Sequence, residues 1–207
     1  MKVIAINGSP RKDGNTAAVL AEMAKELAAQ EIKTEIVQVG GNSIHGCICC
    51  YHCLQEGAGC VFENDCVNET SKKIELADGL ILGAPTYYSA IPGTMKSFLD
   101  RLFFSSGGFL RYKVATVVAV TRRAGAVLTA NQMKNFLNLA EAITPPSQYW
   151  EIVYGRDKGE ALRDAEGMQT ARKNARAMAW LMKVVADGKK NHPLPAEEKR
   201  VYTHFIR

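Results

Sequence analysis

Short apolar runs alternate with longer amphipathic stretches along the chain. The runs, together with one alternating stretch at 34–39, predict five strands, over residues 3–6, 34–39, 79–84, 114–120 and 149–154. Apolar residues spaced three and four apart predict the helices, over residues 17–27, 68–77, 91–104, 128–143 and 160–187. Pro145 and Pro146 are expected to end the fourth helix. This regular alternation is typical of an α/β protein whose parallel sheet is covered by helices on both faces.

The connections between the strands predict how the sheet is ordered. Right-handed crossovers favour a five-stranded, doubly wound parallel sheet with the order 2-1-3-4-5. The stretch at 34–39 alternates polar and apolar residues, which indicates an edge strand with one solvated face. Ligands of such sheets bind beyond the carboxyl ends of the strands. The loops that start at Asn7, Pro85 and Thr121 leave that edge, so we expect them to form one binding site.

The length and composition of the chain limit its domain organisation. A chain of 207 residues is long enough for one domain with a substantial core. We assign residues 1–190 to this domain, including a cysteine-rich loop at 45–66, and residues 191–207 to a polar C-terminal tail. Four apolar residues of the tail are candidates for docking on a partner, namely Val201, Tyr202, Phe205 and Ile206.

Charge and hydropathy exclude several classes of protein. No run of about 18 apolar residues is present, so we expect no membrane span. The sequence opens on a strand pattern without a charged and then apolar leader, so we expect no secretory signal. The net charge of +5 is modest, and the basic residues lack the interleaved aromatic residues of a nucleic-acid surface. We therefore expect no nucleic-acid partner.

The first loop, residues 8–16, has the composition of a phosphate-binding turn between a strand and a helix. Gly8 and Gly14 allow close approach of the backbone, and the following helix directs its positive end at the same place. The candidate side-chain donors are Ser9, Arg11, Asn15 and Thr16. The loop contains neither Gly-Lys-Ser/Thr nor Gly-x-Gly-x-x-Gly, which argues against nucleoside triphosphates and dinucleotides. An ordinary turn before a helix is the alternative interpretation.

Two segments carry a resemblance to a known family. Gly8-Ser9-Pro10-Arg11 with Gly14-Asn15-Thr16 resembles the phosphate loop of the NADPH-dependent FMN reductase superfamily, which has the flavodoxin-like fold. Residues 84–88 and 92–101 are similar to the flavin-ring segment of the same superfamily. The resemblance implies that FMN is the cofactor and that its phosphate contacts Ser9, Arg11, Gly14, Asn15 and Thr16. It also implies that members assemble as homodimers or homotetramers with the flavin near the interface.

The same resemblance assigns two further loops to the flavin. The first contributes Pro85, Thr86, Tyr87 and Tyr88, whose backbone N–H groups and rings are expected at the isoalloxazine. The other contributes Arg122, Arg123 and Gly125. Its cations suit a reduced, anionic flavin or the phosphate of a nicotinamide donor. The alternatives are that the tyrosines only close the end of the sheet and that the arginines lie on a solvated loop.

All six cysteines lie between residues 47 and 66. Such clustering in a chain with a normal core favours metal or redox chemistry in a reducing compartment, so we expect a cytoplasmic location. Cys47, Cys50 and Cys53 are spaced three apart, and Cys60 follows after a short, small-residue segment. Four thiolates in this arrangement suit a [4Fe–4S] cluster or a tetrahedral zinc ion.

The cysteine pattern resembles that of the iron–sulfur flavoproteins, a branch of the same superfamily. The resemblance implies a [4Fe–4S] cluster on Cys47, Cys50, Cys53 and Cys60. Alternatives are that Cys49 replaces Cys50 as a ligand, that the cysteines are free or paired thiols, and that zinc binds instead.

The resemblance implies an FMN-dependent oxidoreductase that passes electrons between a [4Fe–4S] cluster and FMN. Its donor would be NAD(P)H or ferredoxin, and its acceptor a small molecule. The main alternative is a cluster-free NAD(P)H-dependent FMN or quinone reductase. An electron carrier like flavodoxin and a zinc-stapled interaction module are further alternatives. No His/Asp/Glu constellation suggests a separate acid–base catalyst, so we assign no catalytic residue outside the flavin site.

Overall fold

The computed structural model of the chain describes residues 1–55 and 58–206. Residues 56 and 57 of the cysteine-rich loop and residue 207 of the tail lie outside the described residues. The sheet strands are β1 (Lys2–Asn7), β2 (Lys33–Gln38), β3 (Gly79–Pro85), β4 (Val114–Thr121) and β5 (Ile152–Tyr154). All neighbours pair in parallel in the order β2-β1-β3-β4-β5, which confirms the predicted topology.

The helices cover both faces of the sheet, as predicted. Their bounds are α1 (Asn15–Ala28), α2 (Val67–Glu75), α3 (Gly93–Ser106), α4 (Ala126–Leu139) and α5 (Ala165–Asn191). Successive strand residues alternate between the two faces. In β1, Val3 packs with the core beneath α1 and α5, whereas Ile4 packs with the core beneath the other three helices. None of the helices in the described ranges is both long and apolar enough to cross a membrane.

The fourth helix ends earlier than the proline pair predicts. Helix α4 ends at Leu139, and Glu141 adopts a left-handed conformation with a φ of 55°. Ile143 then pairs in parallel with Val114, and its N–H donates to Lys113 O at 2.9 Å. The prediction of a helix to residue 143 is therefore wrong, because the backbone at 143 hydrogen-bonds to the start of β4.

The last strand and the last helix both begin later in the chain than predicted. Strand β5 has three residues, and the preceding Tyr149 and Trp150 are exposed. Residues 160–163 form a separate 3-10 turn, so α5 begins only at Ala165. The Asp164 side chain caps α5 by accepting a hydrogen bond from Gly167 N–H at 2.9 Å. Sequence periodicity continues through the turn and does not reveal this boundary.

The C-terminal tail carries no helix or strand in its described residues, 193–206. It contacts the domain through Arg111, which forms an ion pair with Glu197 and donates to Pro195 O at 3.4 Å. Val201 and Phe205 are largely exposed. The assignment of 191–207 as a separate tail, and its docking on a partner, remain predictions.

Candidate functional site

The loop between β1 and α1 is shaped by its own short hydrogen bonds. Gly8 N–H donates to Gly83 O at 2.8 Å, which attaches the loop to β3. Ser9 N–H donates to Asn7 Oδ1 at 3.1 Å, and Arg11 N–H donates to Ser9 Oγ at 3.2 Å. These contacts within the first residues of the loop fix its backbone before any ligand contacts it. The loop is therefore preorganised.

The end of β2 supports this loop from the side. Gln38 Nε2 donates to Ser9 O at 2.7 Å and to Gly40 O at 2.6 Å. Its Oε1 accepts from Asn7 Nδ2 at 2.7 Å. A Cβ at Gly40 would lie 2.2 Å from the carbonyl carbon of Ser9. The sequence does not signal this role of Gln38, because its position in an edge strand suggests a solvated side chain.

A cavity opens at the carboxyl ends of β1, β3, β4 and β5. Most of the residues predicted for the flavin line it, namely Ser9, Arg11, Asn15, Thr16, Pro85, Thr86, Tyr87 and Arg122. Gly155 and Arg156 also line it and were not predicted from the sequence. Gly155 and Arg156 directly follow β5, so the rule that ligands bind beyond the strand ends was a usable signal for them.

The remaining predicted flavin residues lie outside the cavity lining. Gly14 is the N-cap of α1, and Gly125 is the left-handed N-cap of α4 with a φ of 89°. Tyr88 is fully exposed and has a φ of 50°. Arg123 is exposed next to Arg122. The glycines thus shape the ends of the two loops.

Asn15 lines the cavity, but its side chain holds the neighbouring segment. Its Oδ1 accepts from Gly159 N–H at 3.0 Å and from Ala161 N–H at 3.2 Å. Its Nδ2 donates to Asp157 O at 2.9 Å. All three bonds tie the start of α1 to the segment after β5. Asn15 therefore shapes the cavity wall through these contacts.

The polar groups of the cavity suit a phosphorylated, planar ligand such as FMN. Arg11, Arg122 and Arg156 bring positive charge to the lining, and the N-terminus of α1 points its first N–H groups at the same region. Thr16 is buried at the first turn of α1. The buried Thr86 Oγ1 has no hydrogen-bond partner within the described residues. An orphaned hydroxyl at the cavity wall is available to a ligand.

A second cavity lies beside the cysteine-rich loop. Among the cysteines, those spaced for a cluster line it, namely Cys47, Cys50, Cys53 and Cys60. Burial raises the pKa of the Cys53 thiol. All six cysteines carry free thiols. Within residues 1–55 and 58–206, no three metal-ligating side chains form a ready-made coordination group.

The other two cysteines point to different neighbours. The Cys49 sulfur lies 3.8 Å from the Tyr51 hydroxyl, and both residues have positive φ values, 56° and 57°. Cys66 is the N-cap residue of α2, and its sulfur lies 3.8 Å from Asn42 Nδ2. Burial raises the pKa of the Cys66 thiol. The donor set around the second cavity is therefore four thiols, whose chemistry fits a [4Fe–4S] cluster.

Arg101 also lines this second cavity, and it was not assigned to the cysteines from the sequence. It lies on α3, and its Nε donates to Cys60 Sγ at 3.1 Å. Its position three residues after the buried Phe98 places it on the apolar face of the helix. The sequence signal that could have identified Arg101 is a charged residue on the otherwise apolar face of a helix.

Comparisons with known proteins show the family of the chain. The family model described as NADPH-dependent FMN reductase matches residues 1–157. An iron–sulfur flavoprotein of Methanocaldococcus jannaschii is 35% identical over 193 residues, which cover 89% of this chain and 99% of that protein.

Two solved structures show the same fold at low sequence identity. RosB, whose crystal structure contains 8-demethyl-8-formylriboflavin-5'-phosphate, has a TM-score of 0.69 at 18% identity, over 100% of this chain and 94% of that chain. A flavodoxin from the domain Archaea has a TM-score of 0.59 at 11% identity, over 88% of this chain and 99% of that chain. These matches confirm the predicted flavodoxin-like fold.

Proposed function

The chain belongs to the NADPH-dependent FMN reductase family and is a flavin-dependent oxidoreductase, and we propose that it passes electrons between bound FMN and a [4Fe–4S] cluster. One observation carries the cluster part of the proposal. The four cysteines with the expected spacing line a single cavity, whereas Cys49 and Cys66 lie outside its lining. The relative described as an iron–sulfur flavoprotein supports the same assignment along most of the chain.

The first cavity would hold FMN by its phosphate and its ring edge. Arg11 and Thr16 would bind the phosphate together with the N–H groups that begin α1. Thr86 would offer its orphaned hydroxyl, and Tyr87 would lie against the ring. Arg122 would stabilise negative charge on the ligand. When bound, the flavin exchanges one or two electrons and the cluster exchanges one, and the protein positions both.

The partners follow from the same assignment. We infer that NAD(P)H or ferredoxin supplies the electrons and that a small molecule accepts them. A homodimer or homotetramer in the cytoplasm is the proposed form of the protein. The exposed apolar residues Leu54 and Leu139 line one groove with Phe104, which suits contact with a second copy.

A cluster-free NAD(P)H-dependent FMN or quinone reductase is the second candidate. It is favoured by the absence of a ready-made coordination group in the described part of the chain. In this case the six free thiols would be structural or redox-active, and the flavin site would act alone.

The decisive experiment measures iron and acid-labile sulfide in protein purified and reconstituted without oxygen. The variants are single cysteine-to-serine changes. Loss of a thiolate removes the sulfur of one iron, so we expect each of four variants to lose most of the iron, namely Cys47→Ser, Cys50→Ser, Cys53→Ser and Cys60→Ser. Cys49→Ser and Cys66→Ser are the matched controls and should retain iron near the wild-type level.

Bound FMN is the internal check, because the phosphate loop lies elsewhere and all six variants should keep it. Loss of iron in Cys49→Ser with retention in Cys50→Ser would show that the ligand set is wrong although a cluster is present. Absence of iron in the reconstituted wild type would favour the cluster-free reductase. Oxygen must be excluded, since it can destroy a cluster and leave these thiols free or paired.

A further inference from the structure

Arg101 is an unusual residue because its charge is buried. Its side chain is 0% exposed, and it is the largest of the fully buried side chains. Burying a cation costs several kcal/mol unless partners compensate, and an apolar side chain of similar volume is often the more stable choice. Stability alone therefore does not account for an arginine at this position of α3.

The guanidinium contacts both flanks of the cysteine-rich loop. It forms an ion pair with Asp65, and its Nη2 also donates to Asp65 Oδ1 at 3.2 Å. Nη2 donates to Phe62 O at 3.1 Å, and Nη1 donates to His45 O at 3.3 Å. One side chain thus joins the start and the end of this loop to α3.

The fifth hydrogen bond of the guanidinium is to a cysteine of the second cavity. Arg101 Nε donates to Cys60 Sγ at 3.1 Å, and the Phe62 ring centroid lies 4.9 Å from the guanidinium carbon. The positive charge beside the sulfur is permanent.

We propose that Arg101 is the positioning residue of the cysteine centre, the four thiols that line the second cavity: it fixes residue 45 and residues 60–65 against α3 and raises the electron affinity of the centre through the Cys60 sulfur. The proposal rests on the proposed function, since it assigns a role toward the cluster that the four cysteines would hold. Reduction adds one negative charge to such a centre. A fixed cation and an N–H donor at a ligand sulfur stabilise the reduced form and raise the reduction potential.

The ion pair between Arg101 and Asp65 allows a test, because removing one or the other charge should shift the reduction potential in opposite directions. Arg101→Gln removes the positive charge and should make the reduction potential of the cluster more negative. Asp65→Asn removes the compensating negative charge and should make it more positive. Arg101→Lys keeps the charge and should stay near the wild type. We expect about a tenfold change in the ratio of reduced to oxidised cluster at a fixed potential, which corresponds to about 59 mV for one electron.

Anaerobic redox titration followed by electron paramagnetic resonance measures these potentials. Arg176→Gln is the matched control, because Arg176 forms an exposed ion pair with Glu26 on the other face of the sheet. A purely structural role predicts that Arg101→Gln and Asp65→Asn weaken cluster retention alike and leave the potential unmoved. Shifts of the same sign, or no shift, in these two variants would overturn the electrostatic role.

The positioning role is measured separately on protein prepared without the cluster. Backbone amides between residues 45 and 65 should exchange hydrogen at least tenfold faster in Arg101→Gln and Arg101→Lys than in the wild type or in Arg176→Gln. Equal exchange would overturn this role. If Arg101→Gln does not fold, as judged by loss of FMN, Arg101→Lys and Asp65→Asn decide the outcome. Wild-type protein that binds no iron would overturn the proposed function and the electrostatic role, whereas the exchange result would stand by itself.

Discussion

The polar side chains of the first loop have two roles: some hold the loop in place, and others face the cavity. Ser9 Oγ accepts a backbone N–H of the loop, and Asn15 is engaged with the segment after β5. Arg11 reaches across the cavity mouth and donates to Arg156 O at 3.3 Å. Thr16 lies at the start of α1 with its side chain in the cavity wall. Arg11 and Thr16 are therefore the side chains best placed to recognise a phosphate.

Loss of either side chain should weaken FMN binding. We expect Arg11→Ala and Thr16→Val each to lower the affinity by about 1.5–3 kcal/mol, because each removes a hydrogen bond to a charged group. Titration of apoprotein with FMN, followed by flavin fluorescence, measures the effect. Lys12→Ala is the matched control, since Lys12 is exposed in the same loop and outside the cavity lining. Unchanged affinity in both variants would remove the phosphate from this loop.

The turn after β2 and the β1–α1 loop pack against each other through backbone atoms at short distance. The turn after β2 crosses the β1–α1 loop, and Gly40 N–H donates to Asn7 O at 3.0 Å. A side chain at Gly40 would meet the Ser9 carbonyl carbon and oxygen at 2.2 and 2.3 Å. Both are backbone atoms, which cannot turn aside as a flexible side chain can. The edge strand therefore determines where the β1–α1 loop lies.

Gly40→Ala should disturb stability and flavin binding together. We expect a loss of about 1–3 kcal/mol of unfolding free energy, typical of overpacking, and a weaker affinity for FMN because the loop must move. Urea denaturation and FMN titration measure the two effects. Gly188→Ala is the control within α5: a Cβ there meets no atom within 4 Å, and the change should stabilise the helix by about 0.5–1 kcal/mol. Full FMN affinity in Gly40→Ala would show that the loop tolerates displacement.

At the scale of the whole molecule, the first cavity joins loops from four strands. Its lining includes Ser9 after β1, Thr86 after β3, Arg122 after β4 and Gly155 after β5. A ligand there contacts segments that are distant in sequence and close only in the folded state. Binding should therefore stabilise the entire fold by mass action.

FMN should be the flavin that binds and stabilises the protein. The motivation is one phosphate-sized loop without a dinucleotide fingerprint. At 100 times its dissociation constant, FMN should add about 2.7 kcal/mol of stability. For a domain of this size the melting temperature should rise by roughly 5–11 °C. Differential scanning fluorimetry of apoprotein with FMN, and with FAD at the same concentration, measures the difference. Chromatography of the flavin released by heat provides a second check, and a preparation containing mainly FAD would contradict the prediction.

The sequence by itself determined the order of the strands and the place of the site. The pattern of apolar residues identified five strands and five helices, because each helix must bury an apolar stripe against the sheet and each strand must bury apolar residues beneath the helices. The right-handed crossover rule then favoured the order 2-1-3-4-5, and the strand ends located the loops that line the first cavity. The spacing of the cysteines, together with the resemblance to the iron–sulfur flavoproteins, indicated Cys47, Cys50, Cys53 and Cys60, which line the second cavity.

Only the tertiary structure decided what depends on contacts between distant segments. The same polar residue type can bind a ligand or hold a neighbouring segment, and Asn15 holds the segment at 157–161, which lies more than 140 residues away along the chain. The end of α4 was set by the pairing of Ile143 with Val114, and not by the local proline pair. Arg101 lies beside Cys60 because α3 packs beneath the loop and brings its guanidinium there. Such partners are chosen by packing, which local sequence patterns do not encode.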